Sequence, residues 1–451
     1  MMSTNQSQSY GVPDIYHDDS KPTTAAGEYR RVALATMVGT TIEWYDFFIY
    51  ANVAALLFAS LFFSGLGDMS QLASLATIGV SFFFRPLGAI AMGHIGDRFG
   101  RRIVLIFTLV LMGASTTLVG LLPTTQQIGV AAPILLILLR CLQGFSAGGE
   151  WGGAAMLAVE HAPQGQRGKF GAYPQIGVPA GMLLASGLLL VLTNILTKDQ
   201  FDSWGWRLPF LFSIVLVFVG QWIRRRVSES PVFRELKDAK ANATSPLREL
   251  MRTNGLQVLK AAATFVGNNA LGYMLVGGFL LGYVTRAYKL PREQVLAWIL
   301  VAAALWIVST IYAANLSDRI GRRKVFIIGY VITILWLFPM FYFVSQGSLV
   351  GIAIAYIGMI IPNGLTYGPQ SALFAEMFPA RIRLSGASLA YAIGAVFGGA
   401  FAPTIAEWLT GRTGSLYPVA AYLVVMSVIS LLAVLSIKDR TNEPLHTMSG
   451  H

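Results

Sequence analysis

The sequence predicts an all-α membrane protein with twelve transmembrane helices in two pseudo-symmetric six-helix bundles. Three observations predict this fold class. The 451-residue chain is 55% hydrophobic and only 12% charged, whereas soluble domains carry about 25% charged residues. Apolar runs long enough to cross a bilayer recur along the chain. A charged turn motif occurs twice, about half a chain apart, which indicates that one half was duplicated.

Twelve apolar runs define the predicted helices. They cover residues 32–60, 72–96, 103–122, 132–159, 169–196, 207–223, 257–285, 294–316, 325–344, 349–377, 384–409 and 416–437. Residues 29–223 and 257–438 are therefore the two predicted bundles. The polar residues 1–28 are expected to be a disordered cytoplasmic N-terminus. Residues 224–256 are expected to form a cytoplasmic linker with a short interfacial helix, and residues 439–451 a cytoplasmic tail.

The repeated turn follows the second and the eighth apolar run. Its copies read Asp-Arg-Phe-Gly-Arg-Arg at 97–102 and Asp-Arg-Ile-Gly-Arg-Arg at 318–323. The glycine permits a tight turn, and the arginines suit the cytoplasmic headgroup region. An acid at the C-terminal end of a helix opposes the helix dipole. We therefore expect Asp97 and Asp318 to have partners elsewhere in the chain.

Lysine and arginine predict the orientation of the chain. Of the 33 Lys and Arg residues, 25 lie in segments on the side of the N-terminus, six lie on the other side, and Arg85 and Arg140 lie inside helices. Cytoplasmic loops of membrane proteins carry the positive excess. Both termini are therefore predicted to be cytoplasmic, in a bacterial plasma membrane. The orientation of the chain in the membrane then accounts for the net charge of +11, so we expect no nucleic acid as a partner. The expected partners are a bilayer and a small molecule, and we expect the protein to be a monomer.

Several function classes lack their sequence signatures. The sequence contains no G-x-x-x-x-G-K-[ST] segment, the phosphate-binding motif expected of an ATP-driven pump. It also contains no H-E-x-x-H and no G-x-G-x-x-G segment. The single Cys141 excludes an intrachain disulfide and a C-x-x-C metal site, and His94 and His161 lack a metal-ligand spacing. The loops and tails are too short for a sensor's signalling domain. We expect no cofactor, no metal and no enzymatic activity.

Carboxylates inside the first bundle are the candidate proton sites. A charge at the bilayer centre costs at least ~2.5–3.5 kcal/mol, so it marks either function or a partner. Glu43, Asp46 and Tyr50 share one face of the first helix, and repulsion between the two carboxylates favours protonation of one of them. Glu150 in the fourth helix is a third candidate. The alternative for each acid is a structural pair with a cation on another helix.

Arg85 is the first candidate for holding an anionic substrate, because its planar fork matches a carboxylate and keeps its charge. The alternative is a permanent salt bridge from Arg85 to Glu43 or Asp46. We expect Arg140 to be structural. The other candidate binding residues are neutral and can hydrogen-bond either to substrate or across helices: Tyr50, Gln143, Asn268, Asn269, Tyr273, Asn363, Tyr367 and Gln370.

Charged residues near the cytoplasmic helix ends are predicted to form a gate. The pattern Glu-x-x-Pro-x-x-x-Arg occurs at 160–167 and again at 376–383. Salt bridges among these residues and the repeated turns would hold one conformation closed. The predicted gating residues are Asp97, Arg98, Arg101, Glu160, Arg167, Asp318, Arg319, Arg322, Glu376 and Arg383.

The repeated turns resemble the loop motif of the major facilitator superfamily. Four further stretches, 42–47 (Ile-Glu-Trp-Tyr-Asp-Phe), 85–88 (Arg-Pro-Leu-Gly), 140–153 and 204–210 (Trp-Gly-Trp-Arg-Leu-Pro-Phe), resemble its metabolite:proton symporter family. That family includes bacterial shikimate, α-ketoglutarate, citrate and proline/betaine carriers. The resemblance implies proton-driven uptake by alternating access. It also implies a carboxylate-binding role for Arg85 and makes Arg207 an anion-binding candidate.

These observations together predict a proton-coupled symporter that imports a small organic acid, such as shikimate or a di- or tricarboxylate. The alternative is a proton-coupled carrier of a zwitterionic osmolyte such as proline or betaine. A substrate with a positively charged group would use Glu43 or Asp46 as well as Arg85.

Overall fold

The computed structural model describes residues 25–99, 101–224, 246–276, 278–441, 443 and 445. Within these residues the regular elements are all helices and no strand occurs. Twelve helical spans are long and apolar enough to cross a membrane. The predicted fold class, an all-α protein with twelve transmembrane helices, is therefore confirmed.

Each bundle contributes six of the long helices. The first contains α1 (Ala25–Val53), α2 (Ser70–Phe99), α3 (Arg101–Leu121), α4 (Ala131–Glu160), α5 (Arg167–Ile195) and α6 (Leu208–Arg224). The second contains α7 (Pro246–Val276), α8 (Arg292–Ile320), α9 (Arg322–Ser345), α10 (Leu349–Tyr367), α11 (Arg383–Ala395) and α12 (Tyr417–Leu435). Shorter segments extend α1 (Ala54–Phe58 and Ala59–Phe62), α7 (Phe279–Ala287), α10 (Gln370–Met377) and α11 (Val396–Ala400 and Ala402–Thr413).

The remaining short helices lie in connections: Ser64–Met69, Thr125–Ile128, Lys198–Ser203, Gly205–Arg207 and Ala380–Ile382.

Two helices begin earlier than the apolar pattern predicts. α1 starts at Ala25, within the stretch predicted to be disordered, and α7 starts at Pro246, within the predicted linker. A helix gains one hydrogen bond per added residue whatever the polarity of the side chain, so it can continue past its apolar run. Asn254 interrupts α7 with a φ of −131°, which separates a short first segment from the membrane-spanning part. Predictions for residues 1–24 and 225–245 lie outside the described residues.

The two bundles meet mainly where α5 packs on α8 and where α2 and α4 pack on α11. Within the bundles α3 packs on α6, and α9 packs on α12. These four outer helices expose large apolar side chains, among them Phe218 and Leu335, which are each 71% exposed. Apolar surface on this scale is uncommon in soluble monomers and suits contact with lipid. The inner faces of the bundles are left to form a site.

Glycines in α4 allow α2 to pack against it at very short range. A Cβ atom added at Gly144 would collide with the carbonyl oxygen of Ser81, and one added at Gly148 with the carbonyl oxygen of Arg85. Small residues permit this kind of close helix approach inside membranes. The contact fixes the height of Arg85 relative to α4.

The second repeated turn has the backbone that its glycine predicts. Gly321 lies between α8 and α9 with a φ of 98°, in a region that side chains with a Cβ atom rarely adopt. An added Cβ would also lie 2.5 Å from Oδ2 of Asp439. A non-glycine residue is therefore disfavoured here both by backbone strain and by contact.

We expect Gly148→Ala to destabilise the protein, because overpacking against a fixed backbone carbonyl costs about 1–3 kcal/mol. The measurement is the thermal melting temperature of the purified protein in detergent. Gly411→Ala is the matched control, because nothing lies within 4 Å of an added Cβ there and alanine is the better helix former. Equal melting temperatures for the two variants would contradict the close α2–α4 contact.

Candidate functional site

A cavity of about 20 Å³ lies between the two bundles. Helices α1 and α5 form its wall on one side, and α7, α8, α10 and α11 form it on the other. The residues that line it are Trp44, Phe48, Val178, Phe265, Asn268, Asn269, Gly272, Tyr273, Trp306, Tyr367 and Tyr391. None of these lining residues carries a formal charge. A cavity of this size has room for about one water molecule, so the structure shows the site in a narrow state.

Aromatic rings make the cavity wall rigid. The ring of Tyr273 is stacked on Trp44 with centroids 5.8 Å apart. It also lies edge-to-face on Phe82, at 4.7 Å. On the second side Phe265 is stacked on Tyr391 at 4.9 Å. Such pairs add stabilisation beyond the area that they bury, so the wall is held in shape without a ligand.

Arg85 adjoins the cavity wall and is 2% exposed. Its Cζ atom lies 4.5 Å from the ring centroid of Phe82 and 5.7 Å from that of Trp44. Tyr273 and Glu43 are close enough to act on the guanidinium electrostatically. The guanidinium thus contacts two rings of the wall but does not itself line the cavity.

Buried hydrogen-bond donors collect around the cavity. The following atoms make no hydrogen bond of normal geometry within the described part of the chain: Nε and Nη1 of Arg85, Nε1 of Trp44, Nε1 of Trp306, Nδ2 of Asn269 and the hydroxyls of Tyr273, Tyr367 and Tyr391. Guanidinium, indole and amide nitrogens can only donate, whereas the hydroxyls can donate or accept. An unsatisfied buried donor costs about 1–3 kcal/mol, so a ligand rich in acceptor oxygens would relieve this cost.

Arg140 has partners for its donors within the first bundle. Its Nη1 donates to Oε1 of Gln143 at 2.7 Å, and its Nη2 donates to Oγ of Ser81 at 2.8 Å. Its Cζ lies 3.8 Å from the ring centroid of Tyr50, whose hydroxyl hydrogen-bonds to Oγ1 of Thr77 at 2.6 Å. These contacts tie α1, α2 and α4 together. They give Arg140 the structural role that we expected, and they hold Tyr50 and Gln143 outside the cavity lining.

Asp46 lies deep inside the first bundle, fully buried between α1, α3 and α6. Its Oδ1 accepts a hydrogen bond of 2.6 Å from Oγ of Ser213, and Thr116 is a second polar neighbour. Glu150 is the nearby acid that acts on it electrostatically, and Oε2 of Glu150 accepts from Oγ1 of Thr108 at 2.9 Å. Each carboxylate accepts a hydrogen bond from a hydroxyl group, and neither acid lines the cavity.

In the second bundle the predicted polar residues divide between the cavity and interhelical contacts. Asn269, Tyr273 and Tyr367 line the cavity. Asn268 also lines it, but its Nδ2 donates to Oδ1 of Asn363 at 2.9 Å and so joins α7 to α10. Interhelical bonding, the alternative that the sequence left open, therefore describes Asn363.

Arg207 directly precedes α6 in the chain, and its side chain reaches the C-terminal end of α3. Its Nη1 donates to the carbonyl oxygens of Leu122 and Gly120, at 2.9 and 3.3 Å. Its Cζ lies 4.3 Å from the ring centroid of Trp206. None of these contacts involves a residue that lines the cavity, so the structure brings Arg207 to a helix end and not to Arg85.

Sequence reasoning did not select Trp306, Phe265 or Tyr391 as site residues, although all three line the cavity. When a single aromatic residue lies within an apolar run, the sequence does not show whether its side chain faces the cavity, another helix or lipid. Gln175 was also missed, and here a signal existed: it is a buried amide within the apolar run of α5. Its carboxamide contacts α4 and α10.

One end of the bundle interface is closed by an ion-pair layer, which consists of Glu160, Arg167, Asp318, Arg322, Glu376 and Arg383. Nη1 of Arg167 lies 3.4 Å from Oε1 of Glu376, and Nη1 of Arg383 lies 3.7 Å from Oε1 of Glu160. Both pairs join the first bundle to the second. Burying these charges is tolerable because they are paired, and separating the bundles would break both pairs.

Asp318 of the ion-pair layer caps a helix of the other bundle. Its carboxylate accepts from the backbone N–H of Gly168 at 2.8 Å and of Lys169 at 2.9 Å, in the first turn of α5. These N–H groups have no partner within their own helix, and the positive end of the helix dipole favours an acid. Arg322 pairs with Asp318 as well, at 2.6 Å. Asp318 thus has the partners that we expected it to need.

The C-terminal segment covers the ion-pair layer. The carbonyl oxygen of Glu443 accepts from Nη1 of Arg167 at 2.8 Å, and that of Leu445 accepts from Nη2 of Arg383 at 3.0 Å. Arg319 of the predicted gate is exposed to solvent. The side chains of Asp97, Arg98 and Arg101 lie outside the described residues, so their gating role stays a prediction.

We expect Asp318→Ala to open the ion-pair layer, because it removes the cap that the second bundle places on α5. The measurement is the rate of maleimide labelling of a buried Ala172→Cys in a Cys141→Ala background, which should rise several-fold. Asp439→Ala is the matched control, since Asp439 accepts from the N–H of Arg323 within its own bundle. Equal labelling rates in both variants would contradict a closing role for Asp318.

Comparison with known proteins identifies the relatives of the chain. The family model of the Major Facilitator Superfamily matches residues 36–403 and 266–447. The chain is 38% identical over 446 residues to the inner membrane metabolite transport protein YhjE of Escherichia coli, covering 95% of this chain and 98% of that protein. It is 40% identical over 422 residues to the shikimate transporter of Escherichia coli, covering 92% and 96%.

More distant relatives include the proline/betaine transporter of Salmonella typhimurium, 32% identical over 432 residues, with coverage of 93% of this chain and 85% of that protein. Among solved structures, the proton:xylose symporter XylE is similar with a TM-score of 0.74, covering 94% of this chain and 98% of that chain. Sequence identity to XylE is 15%, so this likeness concerns the fold alone.

Proposed function

The chain belongs to the major facilitator superfamily, and from this premise we propose that it imports a small organic acid together with a proton. Its relatives are transporters of the inner membrane and not enzymes, and its twelve apolar spans make it a multi-pass membrane protein. The acid and the proton coupling are the parts that we propose.

The observation that carries the proposal is the position of Arg85 beside a cavity wall with no charged lining residue. Its Nε and Nη1 make no hydrogen bond of normal geometry among the described residues, and Glu43 and Tyr273 are its polar neighbours. Arginine keeps its charge and binds carboxylates through two parallel hydrogen bonds. A carboxylate would supply the acceptors that Nε and Nη1 lack. We therefore assign the carboxylate of the substrate to Arg85 and the rest of the molecule to the adjoining cavity, which has to widen to admit it.

The other unsatisfied groups suit an oxygen-rich substrate. The indole nitrogens of Trp44 and Trp306 and the amide nitrogen of Asn269 can only donate, so they favour hydroxyl or carbonyl oxygens. An aliphatic acid without further oxygens would leave these donors unsatisfied. This pattern favours a hydroxylated or oxo acid, and the 40% identity to a shikimate transporter agrees with it.

Charge balance within the first bundle supports proton coupling. Glu43, Asp46 and Glu150 are buried carboxyls at membrane depth in its described spans, whereas Arg85 and Arg140 are the buried guanidiniums at that depth. Arg167 is buried as well, but it lies at the end of α5 and pairs with Glu376 of the second bundle. Three acids thus share two bases, and a proton can supply the missing positive charge. We assign the proton to Asp46, because its neighbours Ser213, Thr116 and Glu150 include no base.

Alternating access gives the ion-pair layer its role. We place this layer on the cytoplasmic side, because 25 of the 33 Lys and Arg residues lie on the side of the N-terminus. With the layer intact, the cavity is closed toward the cytoplasm. Separation of the Arg167–Glu376 and Arg383–Glu160 pairs would release substrate and proton inward.

A zwitterionic osmolyte is the second candidate, and one observation favours it. Trp44, Tyr273, Trp306 and Phe265 surround the cavity with aromatic faces, and such cages bind quaternary ammonium groups. Relatives at 32% identity carry glycine betaine and proline by their names. Because no acidic residue lines the cavity, we rank this candidate below an organic acid.

We expect wild-type protein in proteoliposomes to accumulate one acid when an inward proton gradient is imposed. Labelled shikimate, α-ketoglutarate and proline are compared side by side. Arg85→Ala should lower uptake of the acid at least ~10-fold, since a charged hydrogen bond contributes about 1.5–3 kcal/mol. Arg412→Ala is the control, because this arginine is exposed and lies over the ring of Trp408, away from the cavity. Uptake of proline alone would favour the osmolyte candidate.

We expect Asp46→Asn to uncouple transport from the proton gradient, because the amide can neither gain nor lose the proton. Gradient-driven accumulation should disappear, while exchange of labelled for unlabelled substrate at equal pH should continue. Ser213→Ala serves as the control, since it removes the 2.6 Å hydrogen bond to Asp46 and keeps the carboxyl. Full accumulation by Asp46→Asn would overturn the assignment of the proton to this residue.

A further inference from the structure

Gln175 joins the two bundles below the cavity. Its Nε2 donates to the carbonyl oxygen of Tyr367 at 2.8 Å and to Oε1 of Gln370 at 3.2 Å. Its Oε1 accepts from Nε1 of Trp151 at 2.8 Å. The side chain is fully buried, and it does not line the cavity. Both its amide hydrogens and its oxygen are therefore used by the protein itself.

The acceptor on α10 is a carbonyl oxygen at the end of the helix. Tyr367 is the last residue of α10, and the helical segment Gln370–Met377 begins after Gly368 and Pro369. Carbonyl oxygens of a final helical turn have no partner within that helix. Gln175, a residue of the other bundle, caps this oxygen. The bond is therefore lost whenever α5 and α10 move apart.

Trp151 forms a second connection at the same level. Its ring is stacked on that of Tyr391, with centroids 4.0 Å apart and an angle of 9° between the planes. It also lies edge-to-face on Phe374, at 5.7 Å. Tyr391 and Tyr367 both line the cavity. Gln175 thus bonds to the backbone of one cavity-lining residue, Tyr367, and through Trp151 it is linked to a second, Tyr391.

This level lies between the cavity and the ion-pair layer. Gln175 follows Arg167 by about two turns of α5, roughly 12 Å along the helix axis. We call the set Trp151, Gln175, Tyr367 and Gln370 the glutamine floor. A substrate that has entered the cavity meets this floor before it meets the ion pairs.

We propose that Gln175 is the positioning residue that holds the glutamine floor closed, and that release of its bonds to α10 opens the cavity toward the ion-pair layer. A ligand that displaces Tyr367 or Tyr391 acts on these bonds directly, through the carbonyl of Tyr367 and the stack on Trp151. Gln175 therefore couples occupation of the cavity to separation of the bundles. This inference rests on the transporter class and not on the identity of the substrate.

The test measures bundle separation without any ligand. Spin labels are attached at Gln164→Cys and Lys324→Cys, exposed sites in the first and second bundle, in a Cys141→Ala background. Electron–electron resonance then gives the distribution of distances between the labels. Gln175→Leu keeps the size of the side chain and removes its hydrogen bonds.

We expect Gln175→Leu to raise the ratio of long to short distances about 4- to 100-fold, since two hydrogen bonds between the bundles are lost and each net hydrogen bond changes an equilibrium roughly 2- to 10-fold. Gln221→Leu is the matched control. Its Nε2 donates to the carbonyl oxygen of Ile106 at 2.9 Å, so the bond joins α6 to α3 within one bundle. If Gln175 had only a structural role, Gln175→Leu and Gln221→Leu would both lower the melting temperature, and neither would shift the distance distribution.

An unchanged distance distribution in folded Gln175→Leu would overturn the proposal. If Gln175→Leu does not fold, Trp151→Phe decides, because it keeps the ring on Tyr391 and removes only the N–H that orients Gln175. It should shift the ratio in the same direction, about 2- to 10-fold, and no shift would overturn the proposal. Failure of organic acid uptake would count against the proposed substrate and leave this result untouched.

Discussion

The cost of placing polar and charged groups in a membrane interior is the constraint on which the rest of this structure depends. Each such group needs a partner, because the bilayer core offers no water. Arg140 meets this need with Gln143 and Ser81, and the ion-pair layer meets it by pairing acids with bases across the bundles. Arg85 meets it only in part: Glu43 and Tyr273 lie close to its guanidinium, but Nε and Nη1 make no hydrogen bond of normal geometry among the described residues. Its position beside the cavity wall distinguishes it from the buried arginines of the ion-pair layer, which pair with acids.

The same constraint explains why the bundles can move apart as units. Contacts inside each bundle are close, as at Gly144 and Gly148, whereas several contacts between bundles are polar and lie toward the two ends of the interface. At one end lie the ion-pair layer and the glutamine floor. At the other, Nη1 of Arg292 lies 3.6 Å from Oδ1 of Asp202. Polar contacts can be exchanged for water when one end opens, so neither state leaves large apolar surfaces unpaired.

Much of the fold could be predicted, because a membrane span can be recognised in a sequence from its length and hydropathy. Helix ends were less predictable: α1 and α7 begin within stretches assigned to a disordered terminus and a linker, since backbone hydrogen bonding continues where the apolar pattern stops. In the site, the polar residues of α7 could be chosen from their type alone, and Asn269 and Tyr273 do line the cavity. Arg207 could not be placed, because an arginine before a helix gives no information about which carbonyl oxygens it will reach.

The sequence by itself determined the class of this protein: twelve spans, two related halves, an excess of basic residues on one side and a few charges at membrane depth. These follow from composition and spacing, which need no knowledge of neighbours. Only the tertiary structure decided that Arg140 hydrogen-bonds within its bundle while Nε and Nη1 of Arg85 do not, that Asp318 caps α5, and that Gln175 binds α10. Each of these facts depends on atoms from helices far apart in the chain, and the hydrophobic pattern that defines a helix does not say which neighbour its polar groups will meet.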